Sequence, residues 1–275
     1  MRPIYSLSTA NFLLSFVVSI IAAGCGDNTS SSSLSQLTVK QTPEQEVAAL
    51  QKKAEAGNAD AQLNVGTRYD KGDGVPLDKS KAFEWFQKSA AQGNAEAQGK
   101  LGHSYYNGEG VPKDLVKAFE FFEQSAIQGN AKAQGNLGVM YALGQGMPKN
   151  AAKAVEWFQK AAAQGDAHAQ GSLGISYFLG EGVPKDEAKA VEWLKKSAAQ
   201  GDEDGQYSLA VAYSQGQGIP KDLVMAYAWA NVSASNGKED APKLRDYIET
   251  QLTAVERSEA QKLSTGWKKG QLLLR

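Results

Sequence analysis

The sequence holds one cysteine and two histidines in 275 residues. A single cysteine, Cys25, excludes an intramolecular disulfide framework. His103 and His168 have no second histidine three or four residues away, so neither reads as half of a metal-ligand pair. Lysine and arginine (29) nearly balance aspartate and glutamate (30), and no basic run occurs, which argues against nucleic acid as a partner. The longest apolar stretch, Phe12 to Ala23, is broken by Ser15 and Ser19. It is shorter than the roughly 20 residues that a membrane span requires. No Gly-x-Ser-x-Gly elbow marks a nucleophile. On these grounds no catalytic residue, metal site or cofactor is assigned.

What the chain has in abundance is a period. Pro76, Pro112, Pro148, Pro184 and Pro220 fall 36 residues apart. Tyr69, Tyr105, Tyr141, Tyr177 and Tyr213 keep the same step, as do Trp85, Phe121, Trp157, Trp193 and Trp229. A repeat of this length is the mark of a solenoid, in which one supersecondary unit stacks on copies of itself. Within residues 93–128, Asn94 reads as a helix cap, and Ala97, Leu101 and Tyr105 follow at helical spacing. Gly102 beside this stripe lets a second helix approach closely. Gly108-Glu109-Gly110-Val111-Pro112 ends the first helix with a left-handed glycine and a proline that bars continuation. This Gly-x-Gly recurs in every unit and precedes no strand, so it reads as a turn and not a phosphate loop. Asp114 caps a second helix carrying Ala118, Phe121, Phe122, Ser125 and Ala126. The expected fold is all-α, a solenoid of five helix–turn–helix units.

The units follow the text Gly-Asn-Ala-x-Ala-Gln-x-x-Leu-Gly-x-x-Tyr-x-x-Gly-x-Gly-Val-Pro-x-Asp-x-x-Lys-Ala-x-x-Trp-x-x-Lys-Ala-Ala-x-Gln-Gly over residues 57–92, 93–128, 129–164 and 165–200. Residues 201–236 follow it with losses, Gly205 and Met225 among them. The pattern resembles the Sel1-like repeat, a relative of the tetratricopeptide repeat. The resemblance implies antiparallel helix pairs in a right-handed superhelix and a role in scaffolding or protein recognition. Some cysteine-rich proteins of that kind are described as β-lactamases, but this chain lacks their paired cysteines.

Both ends of the array require caps. Thr42-Pro43-Glu44-Gln45 opens a helix over 42–56, with Val47, Leu50 and Ala54 on one face. Residues 237–275 are expected to supply C-terminal capping helices: an amphipathic segment at 239–252, and a capping box at Thr253 and Glu256 opening a helix to about Trp267. Residues 1–24 read as a targeting segment. Its end, Ala22-Ala23-Gly24-Cys25, resembles the bacterial lipobox, though with Ala22 where leucine is usual. The resemblance implies lipidation of Cys25, a polar Ser/Thr-rich tether over 25–41, and an envelope location facing the periplasm. Gly26 in place of aspartate favours the outer membrane over the inner.

Recognition by a solenoid uses positions that stacking leaves free. On the first helices the series beginning at 60, 64, 67, 68 and 71 points away from the expected core. There the first two units offer polar groups, including Lys100 and His103, and the middle units offer Asn136, Val139, Met140 and Leu143, then Ser172, Ile175 and Leu179. The expectation is a concave groove, polar at its start and apolar in the middle, that binds a protein or peptide. An envelope hydrolase and a structural peptidoglycan-binding protein are the alternatives.

Overall fold

Asn58, Asn94, Asn130, Asp166 and Asp202 each turn a side-chain oxygen onto the backbone N–H three residues ahead and start a helix. In the computed structural model, which describes residues 43–275, these first helices are α2 (Ala59–Lys71), α4 (Ala95–Asn107), α6 (Ala131–Leu143), α8 (Ala167–Leu179) and α10 (Glu203–Gln215). Gly72, Gly108, Gly144, Gly180 and Gly216 end them in the left-handed conformation, with φ from 68° to 79°. The second helices, each capped by Asp78, Asp114, Asn150, Asp186 or Asp222, are α3 (Lys79–Ala91), α5 (Leu115–Ile127), α7 (Ala151–Ala163), α9 (Glu187–Ala199) and α11 (Leu223–Ser235). Helix α1 (Pro43–Glu55) precedes them, and α12 (Ala241–Glu249) and α13 (Ala254–Thr265) follow. No strand occurs among the described residues. The chain is an all-α solenoid. The targeting segment, Cys25 and the tether lie outside the described residues.

Each helix pair closes on a small residue. A Cβ added to Gly66, Gly102, Gly138 or Gly174 would lie 2.5 to 2.8 Å from the side chain of Phe86, Phe122, Phe158 or Leu194. In the last unit both partners change together, for Ala210 faces the position of Ala230 and both are buried. The second glycine of each turn serves the neighbouring unit instead. A Cβ on Gly110, Gly146, Gly182 or Gly218 would meet the carbonyl oxygen of Lys79, Leu115, Ala151 or Glu187 at 2.1 to 2.3 Å. Each of those residues opens the second helix of the preceding unit, so the turn is pressed onto that helix.

A polar ladder runs through the stack. Nε2 of Gln92 donates to Oε1 of Gln62 at 2.7 Å, and the bond recurs as Gln128 to Gln98, Gln164 to Gln134 and Gln200 to Gln170, with Asn236 to Gln206 last. The accepting glutamines are buried, and four of them donate their own Nε2 to Ala54, Ala126, Ala162 or Ala198 carbonyls. The rungs thus tie the two helices of each unit together, and the bonds from Gln134, Gln170 and Gln206 reach back to the preceding unit, adding satisfied polar bonds to the apolar contacts that drive stacking.

The ends are covered. Val47 and Ala54 of α1 are buried at the first unit. At the other end the Thr253–Glu256 capping box forms at α13, and Trp267 meets Trp229 edge-on at 6.4 Å. Arg275 bridges Asp222 (2.9 Å) and Glu259 (3.0 Å). First helices also touch one another directly (α4 with α6, α6 with α8, α8 with α10), more closely than any pair of second helices. The array thus curves towards its first helices, whose free sides form the inner face.

Candidate interaction surface

The inner face contains three adjoining cavities of about 730, 510 and 130 Å³. Lys100, His103 and Asn136 line the first of them. His103, Asn136, Val139, Ser172 and Ile175 line the second. His103, Asn136, Val139 and Met140 line the third. Leu143 and Leu179 end their helices 62% and 63% exposed and line none of the three. All nine expected side chains except Met140 are thus at least partly open to solvent on the inner face.

Met140 requires a correction. Its side chain is 1% exposed and joins the core of the central units, forming only the floor of the smallest cavity. The homologous Ser104 and Ala212 are buried as well, and Arg68 and Ser176 are half-buried. The reason is geometric: the position borders the core stripe, and contact between neighbouring first helices widens the arc removed from water there.

At the start of the array several charges pair with one another. Lys79 bridges Asp70 (2.6 Å) and Glu109 (3.1 Å), while Lys100 stands 3.8 Å from Asp70. Further along, Nδ1 of His168 lies 2.5 Å from Oδ1 of Asp202, an ionic contact in which Oδ1 receives no well-directed hydrogen bond. The imidazole is 73% exposed and the carboxylate side chain 1% exposed. The other oxygen, Oδ2, accepts from Ser197 Oγ (2.6 Å) and Gly205 N–H (2.8 Å). Pairing with Asp202 raises the His168 pKa to about 9 against the opposing effect of burial, with Asp166 and Glu203 adding attraction. For Asp202, burial pushes the pKa up, but His168, Ser197 and the Gly205 N–H together hold it below the ordinary value.

Ser197, Asp202 and His168 do not make a nucleophile. The carboxylate lies between hydroxyl and ring, whereas activation needs the imidazole between them. Ser197 is also fully buried. Among the described residues no group of three His, Cys, Asp or Glu side chains is placed to hold a metal, and no helix is long and apolar enough to cross a membrane.

Lys132 and His168 belong to the series beginning at position 60 on the expected free face, but the expected contact residues come from its other positions. Both occupy the position that reads Asp60, Glu96, Lys132, His168 and Asp204 along the array. That irregular charge order is a signal visible in the sequence. The buried partner of His168 is not visible there, because Asp202 looks like one more helix cap.

These features define the class as an α-solenoid with a variable, open inner face. The chain belongs to the Sel1 repeat family, whose pattern matches residues 59–94, 95–130, 131–166, 167–202 and 203–238. Such proteins are generally protein-interaction scaffolds, and the repeat is a non-catalytic one. Among solved structures, c5321, a protective antigen present in uropathogenic Escherichia coli strains displaying an SLR fold, is 38% identical with a TM-score of 0.76. The match covers 82% of this chain and 49% of that one, so the chain spans about half the length of that relative. A Sel1 repeat protein from Oxalobacter formigenes is 34% identical, with a TM-score of 0.72 and coverage of 84% of this chain and 94% of the other. Comparison with curated proteins gives no match.

Proposed function

We propose that the chain is a lipid-anchored scaffold of the bacterial cell envelope that captures a protein or peptide along its inner face and performs no catalysis. One observation carries this reading. The positions that build the stack repeat from unit to unit, whereas those lining the adjoining cavities change in charge and polarity. A purely structural array has no need of such variation on its inner face. Exposed Leu143 and Leu179 extend the surface with an aliphatic ledge of the kind partner proteins bury. Anchoring would use Cys25, with residues 25–41 as the tether and the array facing the periplasm, at the outer membrane in preference to the inner.

In-cell crosslinking tests the first part. The double variant Leu143→Glu, Leu179→Glu should remain folded and lose its crosslinked partners; retention of the same partners would refute the groove. Cys25→Ser should move the protein from the membrane to the soluble fraction, and continued membrane attachment would refute the anchor.

A further inference from the structure

The outer sides of the second helices share one charge pattern, and α11 breaks it. The position that reads Lys81, Lys117, Lys153 and Lys189 becomes Met225. Glu84, Glu120, Glu156 and Glu192 become Ala228, and Lys88, Gln124, Lys160 and Lys196 become Val232. In the first four units these side chains are exposed, whereas Met225, Ala228 and Val232 are at most 4% exposed. Stacking does not require the change. Helix α9 is also followed by a further second helix, yet it keeps Lys189, Glu192 and Lys196 on its outer side. The side of α11 that closes the stack is a different one, where Val224 and Tyr227 join Ile248, Leu252 and Ala260.

With Trp229, these three residues form an apolar stripe at helical spacing, and a strap formed by residues 266–275 lies on it. Trp267 meets Trp229 edge-on, and Leu273 is buried in the same cluster. The strap is seated as an extended peptide ligand would be. The Gly270 N–H donates to the Ala199 carbonyl in the last turn of α9 (2.6 Å). Leu273 is 9% exposed, while Leu272 and Leu274 on either side of it are 40% and 81% exposed. Side chains thus alternate as in a strand, which puts Leu273 and Arg275 on one side. Arg275 reaches Asp222, the cap of α11, at 2.9 Å and Glu259 at 3.0 Å. The nearby Arg257 is paired with Glu249 instead (3.2 Å). The hold is light, for Lys268, Lys269 and Gln271 are exposed and Gly266 and Gly270 give the strap two bending points.

We propose that the outer face of α11 is a docking groove for an extended segment of a partner protein that carries Leu and, two residues on, Arg or Lys. Residues 267–275 fill the groove in cis until such a segment displaces them. The seated strap defines the occupant: the apolar stripe takes the leucine, and the carboxylates of Asp222 and Glu259 take the cation. The groove is formed by second helices, so it is separate from the inner face and does not rest on the reading given to that face.

The test uses the full chain and a fluorescent peptide, Trp-Lys-Lys-Gly-Gln-Leu-Leu-Leu-Arg, with the sequence of residues 267–275. Leu273→Asp in the chain should free the strap, seen as faster trypsin cleavage after Lys268 and Lys269 with an unchanged far-UV spectrum. The freed chain should bind the peptide at least about tenfold more tightly than the parent, whose groove is filled at high effective concentration. Leu273→Asp or Arg275→Glu in the peptide should weaken that binding by about tenfold or more. Adding Val232→Lys to the freed chain should abolish binding and leave the fold intact, because α3, α7 and α9 carry lysine at that position. If Leu273→Asp unfolds the chain, Arg275→Glu, which alters an exposed side chain, takes its place. No binding by the folded, freed chain, equal binding by freed and parent chains, or binding indifferent to both peptide substitutions would each overturn the groove. Unchanged trypsin cleavage would do the same, since Leu273 would then not anchor the strap. Parent and freed chains should not associate when mixed; a 1:1 complex would assign the groove to a second copy of this chain and overturn the separate partner. None of these outcomes touches the inner-face reading, which stands or falls with the crosslinking of the Leu143→Glu, Leu179→Glu variant.

Discussion

His168 makes stability depend on pH with a definite sign. Its pKa of about 9 in the folded chain lies above the ordinary 6.5, so the folded state binds the proton more tightly than the unfolded state. The resulting stabilisation is fully present below pH 6.5 and is lost as pH rises to about 9. Urea midpoints should therefore fall between about pH 6 and about pH 9.5, by a small amount because the exposed ring is screened by solvent. In Asp202→Asn this slope should flatten; an unchanged slope would place its origin elsewhere. The same pair shows where reading residues one at a time stops. Asp202 is legible as a helix cap because capping is local and spans three residues. Its contact with His168 joins helices one unit apart, and no spacing rule within a helix reveals it. The turn glycines divide in the same way. Gly144 is legible as a left-handed cap, but Gly146 is required by the Leu115 carbonyl of the preceding unit.

At the scale of the helix, α6 shows both what periodicity delivers and what it omits. Its caps, its length and the buried Ala133, Leu137 and Tyr141 follow from spacing alone. The outward face does not, since Met140 turns into the core while Leu143, three residues on, stays in solvent. A single helix wheel has one apolar side, whereas a helix inside a stack has neighbours on three. Met140→Glu should therefore destabilise the array by more than about 3 kcal/mol, through lost packing and a buried charge. Leu143→Glu should leave the thermal midpoint nearly unchanged. Comparison of the two melting curves checks this assignment without any knowledge of the partner. Capture lost in the Met140 variant alone would report on folding and not on recognition.

For the whole molecule, the five-fold pattern made the architecture legible from the sequence, because errors in one unit are corrected by the other four. The inner face was legible only in outline, since its residues are by definition those the pattern does not determine. The glutamine ladder carries a further consequence. Its rungs lie within units, Gln92 to Gln62, Gln128 to Gln98 and so on, while Gln134, Gln170 and Gln206 each donate to an alanine carbonyl eight residues back in the preceding unit, so these joints present the same donor to the same acceptor. Two cut ends of the array are therefore interchangeable wherever the cut falls at equivalent positions. A second copy of residues 129–164 spliced after position 164 should fold and melt no lower than the parent, because stability in such arrays grows with each added interface. A copy one residue shorter should misplace the glutamine and turn-glycine contacts that cross the splice and lower the midpoint. Length in this protein is quantised: the groove can be extended by a whole site at a time, with no joint that the existing chain does not already contain.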